Sequence, residues 1–184
     1  MENSITRRII WDRASKAGLA FGGISIAYML INSIMPTTES VGTGMLISLI
    51  GVILWAVKFF GCIWLMKFFM KKLVQDHSEA SNADTFRFGV ATALLSALIF
   101  SAFYLLYTTV INPDIYVEAL ASVKEAYAGI MPSESMEVLD NINFATTGFF
   151  SQLIYCFLYG TVLSAILSRS IPSRDPFANN TNID

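Results

Sequence analysis

Four long apolar runs, at roughly 17–35, 43–66, 87–111 and 144–168, decide what this chain can become. Each supplies about the 20 mostly apolar residues that a helix needs to cross a bilayer's hydrocarbon layer. Lipid offers no partner to a backbone N–H or C=O, so a spanning run of this kind has to satisfy itself as a helix. Composition points the same way. The 184 residues are 54% hydrophobic and only 14% charged, against about 25% charged in soluble domains. The expectation is an all-α, polytopic membrane protein of four transmembrane helices, forming a single domain over residues 1–184. A signal peptide is the competing reading of the first run, since "TRRIIWDRASK" precedes it. The following "INSIMPTTES" has no small-x-small cleavage site, so the run reads as a true span.

Orientation follows from lysine and arginine. Ten of the twelve basic residues fall on one side of this layout: Arg7, Arg8, Arg13 and Lys16, then Lys67, Lys71, Lys72 and Arg87, then Arg169 and Arg174. Lys124 falls on the other, and Lys58 is left in the membrane. Both termini and the tail 169–184 are therefore expected in the cytoplasm. The outward "PTTESVG" is short enough to make the first two helices antiparallel neighbours. In the polar loop before the third span, Asn82, Asp84 or Thr85 is the expected helix cap.

The outward segment 112–143 carries structure of its own. After "NPD", the run "IYVEALASVKEAYAGIM" sets Tyr116, Leu120, Val123, Tyr127 and Ile130 on one face. That 3.6-residue period predicts an amphipathic helix over 115–129, lying on the outer membrane surface or against the bundle. Gly129 and Pro132 end it, and "SESMEVLDNIN" predicts a second short helix capped by Ser133. Six of the fourteen acidic residues lie in this segment, and they read as a solvated surface.

"KAGLAFGGISIAYMLI", "FRFGVATALLSALIFSAFYLLYTTVINPD" and "EAYAGIMPSESMEVLD", followed by a last span with a short basic tail, resemble domain of unknown function 4199, a group of small four-span bacterial membrane proteins. "INPD" closing the third span is the sharpest element of that likeness. The resemblance covers nearly the whole chain and implies a bacterial cytoplasmic membrane. It brings no activity, ligand or functional residue with it.

Lys58 is the residue that the apolar pattern does not explain. With Lys67 at the membrane edge, it sits nine residues deep, or ~13 Å along the helix axis. A lysine near the centre of a span costs about 2.5–3.5 kcal/mol on insertion scales. Gly44, Ser48, Gly51, Trp55, Lys58 and Cys62 form one stripe of the helix, while Leu46, Val57, Phe60 and Leu65 lie opposite. Small residues favour close packing in lipid, so the stripe, and Lys58 with it, is expected to face the bundle. No aspartate or glutamate lies in the four runs. Gln152, Tyr155 and Tyr104 match Lys58 in depth and are its expected polar neighbours in a ligand-binding pocket. Lys58 then either packs against carbonyls and a tyrosine, or meets an anionic ligand, a lipid headgroup or an acidic group of another protein.

Other signals are structural. Gly18 and Gly22 form a G-x-x-x-G that Gly23 extends, which suits helix packing within the bundle. Trp11, Trp64, Tyr116 and Tyr127 suit membrane interfaces. Cys62 and Cys156 read as packing residues, and the single histidine, His77, has no companion for a metal site. No phosphate-binding glycine loop, nucleophile elbow or metalloprotease helix occurs, and a net charge of −2 gives no basic face for nucleic acid. The expectation is a protein without catalysis, cofactor or metal. It would be a binding or accessory subunit in the lipid bilayer, with a membrane protein or anionic lipid as partner. The alternative is a small homo-oligomeric transporter or channel with a polar pocket around Lys58.

Overall fold

The computed structural model describes residues 7–35, 41–77, 80–127, 130, 132 and 142–171. Among them run five α-helices: α1 (Arg7–Ile34), α2 (Val41–Asp76), α3 (Asn82–Leu106), α4 (Ile115–Ala126) and α5 (Phe144–Ser170). A π-helical turn, Tyr107–Ile111, prolongs α3. No strand occurs among the described residues. Four of the helices, α1, α2, α3 with its π turn, and α5, are long and apolar enough to cross a membrane. Their outward surfaces agree: Leu46, Val52, Val57 and Phe60 of α2 and Val162 and Ile166 of α5 are exposed, a distribution that lipid satisfies and water does not.

The helix ends are set by local chemistry. The loop before α3 ends in a capping box. Ser81 Oγ accepts from the backbone N–H of Asp84, and the Asp84 carboxylate accepts in return from the Ser81 backbone N–H at 3.2 Å. Ser81 is thus the cap, in place of Asn82, Asp84 or Thr85, and Asp84 serves as its partner three residues on. Asp84 is fully buried, with Arg87 reaching its other oxygen at 3.5 Å. At the far end of α3 the Asn112 N–H donates to the Tyr107 carbonyl at 2.8 Å, and "NPD" begins immediately beyond the π turn. At their basic ends α1 and α2 each extend ten residues beyond the apolar runs, because polar and basic side chains continue a helix as readily as apolar ones once they leave the lipid.

α3 is the centre of the bundle, packed by α1 on one side and α5 on the other. Small residues permit both approaches. A Cβ placed on Gly18 would lie 2.8 Å from Leu95 Cβ, and one on Gly22 would lie 2.7 Å from Ile99 Cγ2. The G-x-x-x-G is therefore an α1–α3 contact, while Gly23 faces open space. Across the other face, Gly160 of α5 meets Ala93 closely and Gly89 of α3 meets Ser164 and Met70.

α2 joins this three-helix slab mainly through its second half. Met66, Met70, Leu73 and Val74 are buried with Ile10, Ala14, Phe21, Phe88 and Leu167 in the main core. Phe21 of α1 meets Phe69 of α2 edge-on at 6.2 Å, and Arg13 pairs with Asp76 at 2.9 Å. This end of the bundle carries the basic residues. Toward the opposite end α2 is bare: Met45, Leu49, Ile50 and Ile53 are exposed, and a Cβ on Gly51 would meet nothing within 4 Å. The expected inward stripe thus holds from Trp55 to Cys62 but not at Ser48 or Gly51, which no helix covers. Leu65, expected on the outer side, is instead packed against the core, one turn short of the tightest packing.

α4 lies at the end opposite the basic residues. Tyr116 stacks on Phe144 at 5.8 Å and donates to the Tyr104 hydroxyl at 3.0 Å. Leu120 is half-buried, but Val123, Tyr127 and Ile130 are exposed. The bundle covers only the first turns of the expected apolar face. The helix ends at Ala126, and the predicted second helix after Ser133 lies outside the described residues.

Candidate functional site

Trp55, Lys58 and Cys62 follow one another at three- and four-residue spacings, so their side chains leave α2 on one side. That side borders a cavity of about 250 Å³ between the four long helices. α1 contributes Phe21 and Ser25 to its wall, and α3 contributes Thr92, Ser96 and Phe100. α5 contributes Tyr155, Cys156 and Tyr159. Toward the basic end the cavity is closed by Met66, beyond which Met70, Leu73 and Phe88 are fully buried. On its α2–α5 side the wall is thin: these two helices touch little, and Trp55 and Tyr155 are 54% and 69% exposed. Phe59 and Tyr159 meet across this seam at 6.1 Å.

Among the described residues that line the cavity, Lys58 is the one with a charged side chain. Its ammonium lies 4.5 Å from the centroid of the Tyr28 ring and 5.8 Å from that of Phe100. Aromatic faces carry negative potential and attract a cation, by about 2 kcal/mol or more when water is excluded. Two rings thus offset part of the cost of keeping the ammonium at this depth. None of the ion pairs among the described residues involves Lys58. The rings hold the charge without neutralising it, and a ring face uses few of the ammonium's three N–H donors.

Thr92 sharpens the picture. Its side chain is 1% exposed, it borders the cavity, and its hydroxyl has no hydrogen-bond partner. A helical threonine usually returns its hydroxyl to a carbonyl one turn back, as Ser164 does to Gly160 at 2.6 Å. A buried hydroxyl without a partner costs roughly 1–3 kcal/mol. Ser101 and Thr161 also have unpartnered hydroxyls, but neither borders the cavity.

Of the four residues expected to form a pocket, Lys58 and Tyr155 are on the cavity wall. Tyr104 and Gln152 are not part of it. Tyr104 turns toward the α4 end, where its ring packs over Gly148 and its hydroxyl meets Tyr116. Gln152 is half-buried one turn before the wall residues of α5. Sequence reasoning did not single out Tyr28, Ser25, Thr92 or Phe100. One signal for Ser25 was present, since Gly18, Gly22 and Ser25 continue a single stripe of α1. The rings that hold Lys58 had no signal in spacing, because they belong to two other helices. Cys62 of α2 and Cys156 of α5 are free thiols that border the cavity. Among the described residues no group of three or more metal-ligating side chains is gathered in one place.

Fold and site together define a class: a small four-helix bundle of membrane-spanning type, with an apolar cavity between the helices whose described lining carries one charged group, the Lys58 ammonium. The chain belongs to the family described as protein of unknown function (DUF4199), whose model matches residues 16–169. The matched stretch contains the whole cavity. No curated protein and no solved structure matches the chain.

Proposed function

We infer that this is a non-catalytic binding protein of the cytoplasmic membrane, both termini inside, whose cavity receives an anionic group at Lys58. The observation that carries the reading is the Lys58 ammonium, held on the Tyr28 ring inside a cavity with no carboxylate beside it. A lysine in a spanning segment usually pairs with an acid or with backbone carbonyls, or reaches the headgroups. Here two rings hold it in place and leave its charge available. The orientation rests on the basic end formed by α1, α2 and α5 together with Arg87 in the first turns of α3. Transport by the same cavity fits less well, since the packed core of Met66, Met70, Leu73 and Phe88 closes it toward the basic end.

The test is native mass spectrometry of the full chain released from its own membrane, wild type beside Lys58→Met. Wild type should carry a bound molecule that Lys58→Met lacks, with equal helix content in both. Identical bound species in the two proteins would overturn the reading.

A further inference from the structure

We propose that the cavity binds a single-chain amphipathic carboxylic acid, a free fatty acid or a close chemical relative, taken up sideways from the bilayer between α2 and α5. This rests on the reading of Lys58 as an anion site and names the class of ligand.

Depth selects the ligand first. Lys67, Lys71 and Lys72 mark the membrane edge on α2, and Lys58 lies nine residues from Lys67, ~13 Å along the axis. The phosphate of an intact phospholipid belongs at the headgroup level and does not reach that far. A ligand whose anion meets Lys58 must carry it into the hydrocarbon layer, which a free acid does by crossing as the neutral protonated form.

Charge and lining select it next. Among the described residues the wall is mostly ring and methylene surface, with the Lys58 ammonium as its only charge. Phosphate or sulfate esters need several strong donors to replace their hydration. A monoanion with two oxygens needs far less, and Lys58 neutralises it. The chain of the acid finds Trp55, Phe59 and Phe100 within the cavity, and the seam beside the exposed Tyr155 lets its remainder lie in the bilayer.

The experiment uses the full chain in lipid nanodiscs and parinaric acid, a fluorescent fatty acid, with its methyl ester as control. Parinaric acid should bind saturably at one site per chain, and the ester at least ~10-fold more weakly. Losing a hydrogen bond to a charged group is worth about 1.5–3 kcal/mol, or tenfold and more. Lys58→Met should lower affinity for the acid at least ~10-fold and abolish the preference over the ester, and Lys58→Arg should keep it. Equal binding of acid and ester by wild type, or undiminished acid binding by Lys58→Met, overturns the proposal. If parinaric acid does not bind while a different anionic species is retained in a Lys58-dependent way, the fatty-acid class is wrong and the anion site stands. If no Lys58-dependent species of any kind is found, both fail together.

Discussion

The Lys58 ammonium of α2 stands 4.5 Å from the centre of the Tyr28 ring of α1, which joins two helices through a charge and a quadrupole. This contact predicts a measurable coupling. Tyr28→Leu should destabilise the bundle by roughly 1 kcal/mol in the wild-type background and by clearly less beside Lys58→Met. Lys58→Met alone should fold as well as wild type or better, since the buried charge disappears. Reversible unfolding in mild detergent completes the double-mutant cycle. Strict additivity of the two changes would show that ring and ammonium do not interact.

The α1–α3 seam predicts an asymmetry among three neighbouring glycines. Gly22→Val has to displace Ile99, and Gly18→Val has to displace Leu95. Overpacking of this kind costs about 1–3 kcal/mol. Gly23→Val meets open space and should change stability by less than ~0.5 kcal/mol. Thermal melts of the three variants decide the matter, and a Gly23→Val protein as damaged as the others would contradict the packing described.

At the entry to α3, Ser81→Ala should cost about 1 kcal/mol, because it removes the hydroxyl that accepts from the Asp84 N–H. Asn82→Ala should be nearly silent. Hydrogen exchange of the first turn of α3 reads this locally: faster exchange in Ser81→Ala and unchanged exchange in Asn82→Ala.

Tyr116 of α4 predicts a pH effect. Burial first, and then its hydrogen bond with Tyr104, raise the phenol above the ordinary tyrosine value. A raised folded value means that Tyr116 holds α4 in place fully at neutral pH. That contribution is lost as pH climbs from about 10, where the free phenol ionises, toward the folded value. In a spectrophotometric titration, the increment missing from Tyr116→Phe should therefore lie on the alkaline side of ordinary tyrosine. An increment at the ordinary position would mean that the phenol is solvated and the α4 contact is absent.

Topology predicts that a cysteine introduced by His77→Cys is shielded from a membrane-impermeant reagent in intact cells, while one from Lys124→Cys is labelled. The opposite pattern would invert the orientation, and labelling of both would dissolve it.

What the sequence by itself determined was everything that depends on sums over a segment. Apolar length marked the four spanning helices to within a few residues at their lipid-facing parts, and the separation of Lys124 from ten other basic residues defined two ends. The 3.6-residue period placed α4, and spacing along α2 turned Trp55, Lys58 and Cys62 to one side. These properties belong to one helix at a time. The tertiary structure alone decided what depends on pairs of helices. That α3 is central follows from Gly18 and Gly22 fitting against Leu95 and Ile99, and Gly160 against Ala93. The G-x-x-x-G marked one face of α1 for close packing, but nothing in the sequence named α3 as its partner. Counting residues gave Tyr104 a suitable depth, yet its ring angle around α3 sends it to Tyr116, while Tyr28 of α1 meets the Lys58 ammonium and Thr92 of α3 borders its cavity. Depth is one-dimensional and can be counted. The direction in which a side chain leaves a helix matters only relative to its neighbours, and packing sets those.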